Sequence, residues 1–288
     1  MVYGLSTQQM NLYTIDTGFF KLDGGAMFGV VPKTIWNRTN PADENNLCTW
    51  AMRCLLVEDE GRLILIDTGI GNKQDDRFFS HYYLHGDASL DKSFAKLGFH
   101  RNDITDVFLT HLHFDHVGGA VVREGEKLTP AFKNAIYWSN AQHWEWAVNP
   151  NEREKASFLK ENILPIQESG QLKFIPAEDG FKFTENIQVR FAYGHTDAMM
   201  LPLINYKGHS VLYMADLLPS VGHIPLPYVM AYDMFPLKTL TEKKLFLTES
   251  VDKEFILYLE HDAVNECCTL QQTEKGVRLN ETFNLNAI

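Results

Sequence analysis

Cysteine is scarce in this chain: four residues in 288, at Cys48, Cys54, Cys267 and Cys268, with no C-x-x-C pair among them. That excludes a disulfide-stapled framework and a zinc-ribbon pattern. Adjacent Cys267 and Cys268 would bridge each other only in a strained geometry, so all four read as free thiols in a reducing compartment. Long apolar runs are missing as well, and no stretch approaches the ~18 residues that a membrane-spanning helix needs. Positive charge is in deficit, with 26 Lys and Arg against 37 Asp and Glu and a net charge of −11. Nucleic-acid binding rests on neutralising phosphates, so a broad footprint for DNA or RNA is excluded. No internal repeat, low-complexity run or Gly/Pro/Ser linker interrupts the chain, so residues 1–288 are expected to form one domain. The segment from Met1 to Met10 is polar and lacks a basic-then-apolar leader pattern, so the expectation is a soluble, cytoplasmic protein that binds no membrane.

What is present suffices for a large core, with 45% apolar residues and 12% aromatics. Strand patterns run over Asn11–Phe20, Ala51–Val57 and Leu63–Ile66, the last two joined by the turn-like Glu58-Asp59-Glu60-Gly61. Ser89–Leu97 has a helical period closed by Gly98. Val107–Leu109 and Ala135–Trp138 read as strands, Ser139 as a helix cap, and Glu152–Asn162 as helix. Further strands are expected at Leu172–Ile175, Ile187–Phe191, Leu201–Asn205, Ser210–Met214 and Phe255–Leu259, with a long helix over Leu237–Asp252. Strands and helices alternate but hairpins occur too, which favours an α/β fold of mixed sheets covered by helices.

The densest chemistry lies in Thr110-His111-Leu112-His113-Phe114-Asp115-His116-Val117-Gly118-Gly119. Three imidazoles and a carboxylate suit zinc and its borderline neighbours. In an extended chain His111, His113 and Asp115 would share one face. His116 joins them only if the chain turns, which Gly118-Gly119 makes easy. Three more candidates share one context, an apolar run ending in a polar residue: Phe191–Gly194 into His195, Val211–Ala215 into Asp216, and Ile256–Glu260 into His261. Strand ends at one sheet edge are where α/β folds gather their chemistry.

The set His111-x-His113-x-Asp115-His116, followed in order by His195, Asp216 and His261, resembles the metallo-β-lactamase superfamily. Asp67 in Ile66-Asp67-Thr68-Gly69 resembles the aspartate those proteins carry early in the chain. The resemblance implies a four-layer αβ/βα sandwich, two mixed β-sheets flanked by helices. It implies His111, His113 and His195 on one metal ion, Asp115, His116 and His261 on a second, and Asp216 bridging them. Two divalent ions are therefore expected, zinc first, with iron, manganese or cobalt compatible with the same donors. Asp67 would hold the His-rich loop or a donor imidazole in place; read from its residues alone, a turn aspartate before Gly69 is equally open. A pair of such ions generates hydroxide at neutral pH, and Asp115 is the candidate catalytic residue that orients the nucleophile or carries the proton.

Within the superfamily the β-lactamases place a cysteine where this chain has Asp216. The nearest likeness is to the branch of N-acyl-homoserine lactone lactonases and methyl-parathion-type hydrolases. It implies a small-molecule substrate: a fairly apolar ester, lactone or phosphotriester. Those lactonases have a tyrosine soon after the bridging aspartate, whereas Asp216 is followed here by Leu217-Leu218-Pro219. Met27, Phe28, Trp36, Met199 and Leu218 are the candidate pocket wall, and the apolar N-terminal loop is a candidate homodimer contact. A mononuclear-iron sulfur dioxygenase on the same scaffold is the alternative; it would need only two histidines and one aspartate around a single ion.

Overall fold

A computed structural model describes residues 10–288, and residues 1–9 lie outside it, so the expectation of a leaderless N-terminus falls largely on undescribed residues. Strands β1 (Asn11–Asp23), β2 (Leu47–Asp59), β3 (Arg62–Ile66) and β4 (Asp106–Phe108) begin the first sheet. A separate hairpin, β5 (Val121–Glu124) and β6 (Lys127–Pro130), precedes β7 (Ile136–Asn140) and β8 (Leu172–Ile175), which complete that sheet in the order β1-β2-β3-β4-β7-β8. Its first three strands are antiparallel neighbours and the rest pair in parallel. The second sheet comprises β9 (Phe181–Lys182), β10 (Ile187–Ala192), β11 (Met199–Tyr206), β12 (His209–Tyr213), β13 (Ile256–Tyr258), β14 (Cys267–Thr273) and β15 (Gly276–Phe283). It is antiparallel throughout except for the β12–β13 pair. Both sheets are mixed, as the alternation of hairpins and crossovers predicts.

The period-2 alternation of β2 decides the layering. Leu55 and Val57 face the second sheet and pack with Leu201, Val211 and Leu257, whereas Cys54 and Leu56 face outward. The helices are α1 (Gly24–Phe28), α2 (Lys33–Trp36), α3 (Asp76–Ser80), α4 (Leu90–Leu97), α5 (Phe114–Val117), α6 (Ala141–Val148), α7 (Lys160–Glu168) and α8 (Pro236–Asp252). Phe94 of α4, Trp144 of α6 and Ile163 of α7 cover the outer face of the first sheet. Phe246 and Leu247 of α8 pack on the second. The result is the four-layer αβ/βα sandwich. Among the described residues no helix is long and apolar enough to cross a membrane.

Local chemistry explains several boundaries. Glu60 and Gly61 both have positive φ, 48° and 77°, which is what a tight two-residue hairpin between β2 and β3 requires. Ser89 caps α4, and Gly98 ends it at φ 80°. Two expectations need correction, at Ser139 and at Glu152–Asn162. The cap of α6 is Asn140, not Ser139: its Oδ1 accepts from His143 N at 2.8 Å. The apolar Leu22–Pro32 segment includes the short helix α1, capped by Asp23. Residues 152–157 form turns rather than helix, which begins only at Lys160, because Asn151 Oδ1 accepts from Arg153 N and Glu154 N and reverses the chain.

Candidate metal centre

Strands β3, β4, β10, β12 and β13 all deliver polar residues at their C-terminal ends: Asp67, the His111–His116 turn, His195, Asp216 and His261. The turn is clamped against the segment after β3. Thr68 N and Oγ1 both donate to His116 O at 2.8 Å, and Gly119 N donates to Gly69 O at 2.8 Å. A Cβ on Gly118 would lie 2.0 Å from Ile70 O and one on Gly119 2.2 Å from Thr68 O, so the two glycines are needed for close approach.

The seven expected donors meet in two groups, His111, His113, His195 and Asp216 in one and Asp115, His116 and His261 in the other, with ligand atoms within 4.8 Å of one another in each. Asp115 does not share a face with His111 and His113 as an extended chain would have it. The strand ends at Phe108 and Asp115 sits in the helical turn of α5, which swings it toward His116 and His261. Asp216 faces both groups. Its Oδ2 lies 3.1 Å from His195 Nε2 and 3.9 Å from His111 Nε2, and its Oδ1 lies 2.9 Å from His261 Nε2 and 3.3 Å from His116 Nε2.

Outer partners aim the imidazoles. His113 Nε2 donates to Glu154 Oε1 at 2.9 Å, and His195 Nδ1 to Asp233 Oδ1 at 2.8 Å. His116 Nδ1 donates to Asp67 Oδ2 at 3.0 Å, and His261 Nδ1 to Ala51 O at 2.8 Å. The Thr110 hydroxyl donates to Asp67 Oδ2 at 2.6 Å and accepts from His111 Nδ1 at 3.1 Å. Each contact assigns the proton to the outer nitrogen and turns the lone pair inward. The lone pairs then face one another: His111 Nε2 and His195 Nε2 each lie 3.1 Å from His113 Nδ1, and His116 Nε2 lies 3.2 Å from His261 Nε2. Converging lone pairs repel unless a cation lies between them. Buried Asp216 Oδ1, which receives no hydrogen bond, makes the same demand. This donor chemistry fits a pair of divalent ions.

The electrostatics agree. Burial, reinforced by neighbouring imidazoles, holds His111 well below the usual histidine range, and burial also lowers His113. At His116, His195 and His261 burial pulls the same way but is overcome by carboxylates. Glu260, Asp216 and Asp115 hold His116 well up, Asp216 and Asp233 push His195 to about 10, and Asp216 and Glu260 push His261 to about 9. Burial would raise Asp216, yet His261, His116 and His195 hold its carboxyl well below the carboxylate range. Protons and metal ions therefore compete for the same lone pairs.

The donors floor a cavity of about 330 Å³ whose walls include Leu22, Met27, Phe114, Met230 and Met234, with Tyr82, Tyr232 and Arg153 as polar members. Of the expected wall residues, Met27 lines it. Phe28 and Trp36 lie behind the wall, stacked at 5.3 Å, with Phe28 also stacked on His223 at 4.3 Å. Met199 and Leu218 are buried in the core between the sheets, because their neighbours there are apolar strands rather than loops. Sequence reasoning missed Glu154, Asp233, Thr110 and Glu260. It also missed His143, whose Nε2 accepts from Leu112 N at 2.9 Å and so braces the donor turn. Their signals are weak: Glu154, Asp233 and His143 lie outside any motif, and Glu260 and Thr110 sit beside donors without a pattern of their own.

Residues 53–261 match the model of the Metallo-beta-lactamase superfamily. N-acyl homoserine lactonase AiiA of Bacillus thuringiensis subsp. kurstaki is 24% identical over 195 residues, covering 64% of this chain and 66% of that protein, just under two thirds of its length. A probable metal-dependent hydrolase from Staphylococcus aureus superposes with a TM-score of 0.86 at 25% identity, over 97% of this chain and 98% of its own. AidC, a dizinc quorum-quenching lactonase solved with a product, shares the fold with a TM-score of 0.78 at 22% identity, over 97% of each chain. The sandwich, the donors gathered at one edge of both sheets, and a family match that runs from Arg53 in β2 to the last donor, His261, place this chain in the metallo-β-lactamase superfamily.

Proposed function

We propose that this chain is a metal-dependent hydrolase, holding two divalent ions with zinc the first candidate, that opens a small, fairly apolar lactone or ester, with phosphotriesters as a further ester class. The observation that carries the reading is Asp216, one carboxylate oxygen turned to each donor group at the floor of the cavity. His111, His113 and His195 would hold one ion, Asp115, His116 and His261 the other. Such a pair supplies hydroxide at neutral pH and polarises a substrate carbonyl or phosphoryl oxygen.

This chain's own residues do the rest. Asp115 lines the cavity and would take the proton of the attacking water and return it to the leaving alkoxide. Burial pushes the Tyr82 phenol up to about 12 and raises Tyr232 further, so both remain neutral donors to a substrate oxygen. They supply from other loops the phenol that does not follow Asp216. The methionines and Phe114 exclude water from the acyl part of the substrate, and Arg153 offers a cation to a polar group. The volume lies at the low end of the ~300–1,000 Å³ usual for ligand cavities, which favours a small substrate. The relatives named as lactonases support the lactone arm. Residues 10–288 are read as one domain, since both sheets share one core.

The mononuclear-iron alternative draws no support, since the chain supplies a complete second group of donors. The test is a panel of short- and long-chain lactones, aryl esters and a phosphotriester on metal-reconstituted protein, with metal content measured alongside. Two ions per chain and turnover of a lactone or ester are expected. Full metal content without turnover on any member, or a single ion per chain, would refute the reading.

A further inference from the structure

One buried carboxylate at this centre belongs to neither donor group. Glu260 stands between β13 and His261 and is 0% exposed. Its Oε2 lies 3.1 Å from His116 Nδ1. That single N–H is already directed to Asp67 Oδ2 at 3.0 Å, and neither oxygen of Glu260 receives a hydrogen bond among the described residues. Asp67 differs, because Thr110 N and Thr110 Oγ1 both donate to it, at 2.8 and 2.6 Å. A buried carboxylate without donors is costly unless positive charge lies close by. That charge can sit on the His116 imidazole itself or on its far side, where His116 Nε2 meets His261 and Asp216.

We propose that Glu260 is a positioning residue for the second ion: its carboxylate behind His116 strengthens Nε2 as a donor and raises the affinity of the Asp115–His116–His261 position alone. The inference rests on the dinuclear reading above. It is selective because, among the described residues, the Glu260 side chain has an ion pair with His116 and no hydrogen bond or ion pair with His111, His113 or His195. Asp67, by contrast, reaches the first ion's donor His111 through Thr110 as well as the second ion's donor His116.

The test strips the full-length protein with a chelator and titrates it with Zn²⁺ against a chromophoric competitor, in wild type and Glu260→Gln. Glutamine keeps the shape and removes the charge. Wild type should bind two equivalents. In the variant one binding phase should weaken roughly 10–100-fold, the usual effect of losing an outer partner of a metal ligand, while the other is unchanged. The metal-free variant should keep the wild-type far-UV circular dichroism, which separates a lost charge from a lost fold. Both phases unchanged, or both weakened together, would overturn the proposal and leave Glu260 a packing residue. Wild type binding fewer than two equivalents would instead overturn the dinuclear reading. Should Glu260→Gln not fold, Glu260→Asp retains the charge and is expected to keep most of the second-phase affinity; an Asp variant as weak as Glu260→Ala would exclude charge as the cause.

Discussion

Replacing Asp67 with Asn separates a turn aspartate from a residue that organises the whole centre. Asp67 has φ 57°, a left-handed conformation that Asn adopts as readily as Asp, so the backbone is not perturbed. What changes is the acceptor set. Its carboxylate, 0% exposed, takes three hydrogen bonds: from Thr110 N, from Thr110 Oγ1 and from His116 Nδ1. An amide has one acceptor oxygen. Placed on Thr110 N, its NH₂ faces the His116 N–H; placed on His116, it faces the Thr110 N–H. Either way one buried donor is left unpaired and at least one charge-assisted bond is lost, which together cost about 3–5 kcal/mol. Urea unfolding of metal-free wild type and Asp67→Asn at pH 7 reads that difference. Because the Thr110 hydroxyl passes the orientation on to His111, zinc affinity should fall at both positions, unlike the one-sided loss expected for Glu260→Gln. A variant within about 0.5 kcal/mol of wild type, the range of an inconsequential surface change, with both ions retained, would show that Asp67 does no more than turn the chain.

Asp216→Asn should lose both ions rather than one, since a neutral amide would present NH₂ to one of the two imidazole pairs; metal analysis after desalting checks this, and a variant that keeps one full equivalent would contradict the bridging role. Gly194→Ala should destabilise by about 1–3 kcal/mol and slow turnover, because its Cβ would lie 2.3 Å from both Thr239 N and Thr239 Oγ1 at the start of α8 and push His195 off its position; thermal melts and kinetics at saturating zinc read both effects. Asp106 is buried, and although burial raises its carboxyl, Arg62, Thr105 and Trp138 together hold it below the ordinary value of 3.8. A lowered carboxyl contributes stability that is present above 3.8 and disappears as pH falls through the folded value, so wild type should exceed Asp106→Asn in unfolding free energy at pH 7 and the gap should close in acid. A gap constant from pH 7 to pH 3 would count against that assignment.

The parts of the centre that were legible in the sequence are those with local signatures. Four donors between His111 and His116 crowd into one turn, and His195, Asp216 and His261 each follow an apolar run long enough to read as a strand. The expectation that Asp115 shares a face with His111 and His113 failed on periodicity, because a two-residue repeat holds only while the strand lasts and β4 ends at Phe108. Glu154 was hidden for a related reason. The segment around it has helical composition, but Asn151 turns it, and the carboxylate points inward only in that irregular conformation. Asp233 sits in a loop with no repeat at all, so no pattern could have paired it with His195 across the chain. The apolar wall was misread where size and hydrophobicity were the only guide. Met27 and Met199 are the same residue type, yet one lines the cavity and the other fills the core between the sheets.

The loops that escaped sequence reasoning join the cavity wall to the donors. Arg153, beside Glu154, donates to the carbonyl of Ala231, two residues before Asp233, and all four residues lie at or next to the wall. Glu154 orients His113 and Asp233 orients His195, so both outer carboxylates of the first ion come from these two segments. The second segment is held at its other end by Lys243 of α8, whose ammonium donates to the carbonyls of Pro225 and Tyr228 at 3.0 and 2.8 Å. The second ion's donors are braced differently, by Asp67 and by Ala51 O from the first sheet. Reshaping these two wall segments would therefore disturb the imidazoles of His113 and His195 first, while His116 and His261 keep their partners after β3 and in β2. Substrate range and donor orientation would be coupled chiefly on the His113–His195 side, because there the same short stretches of backbone serve both.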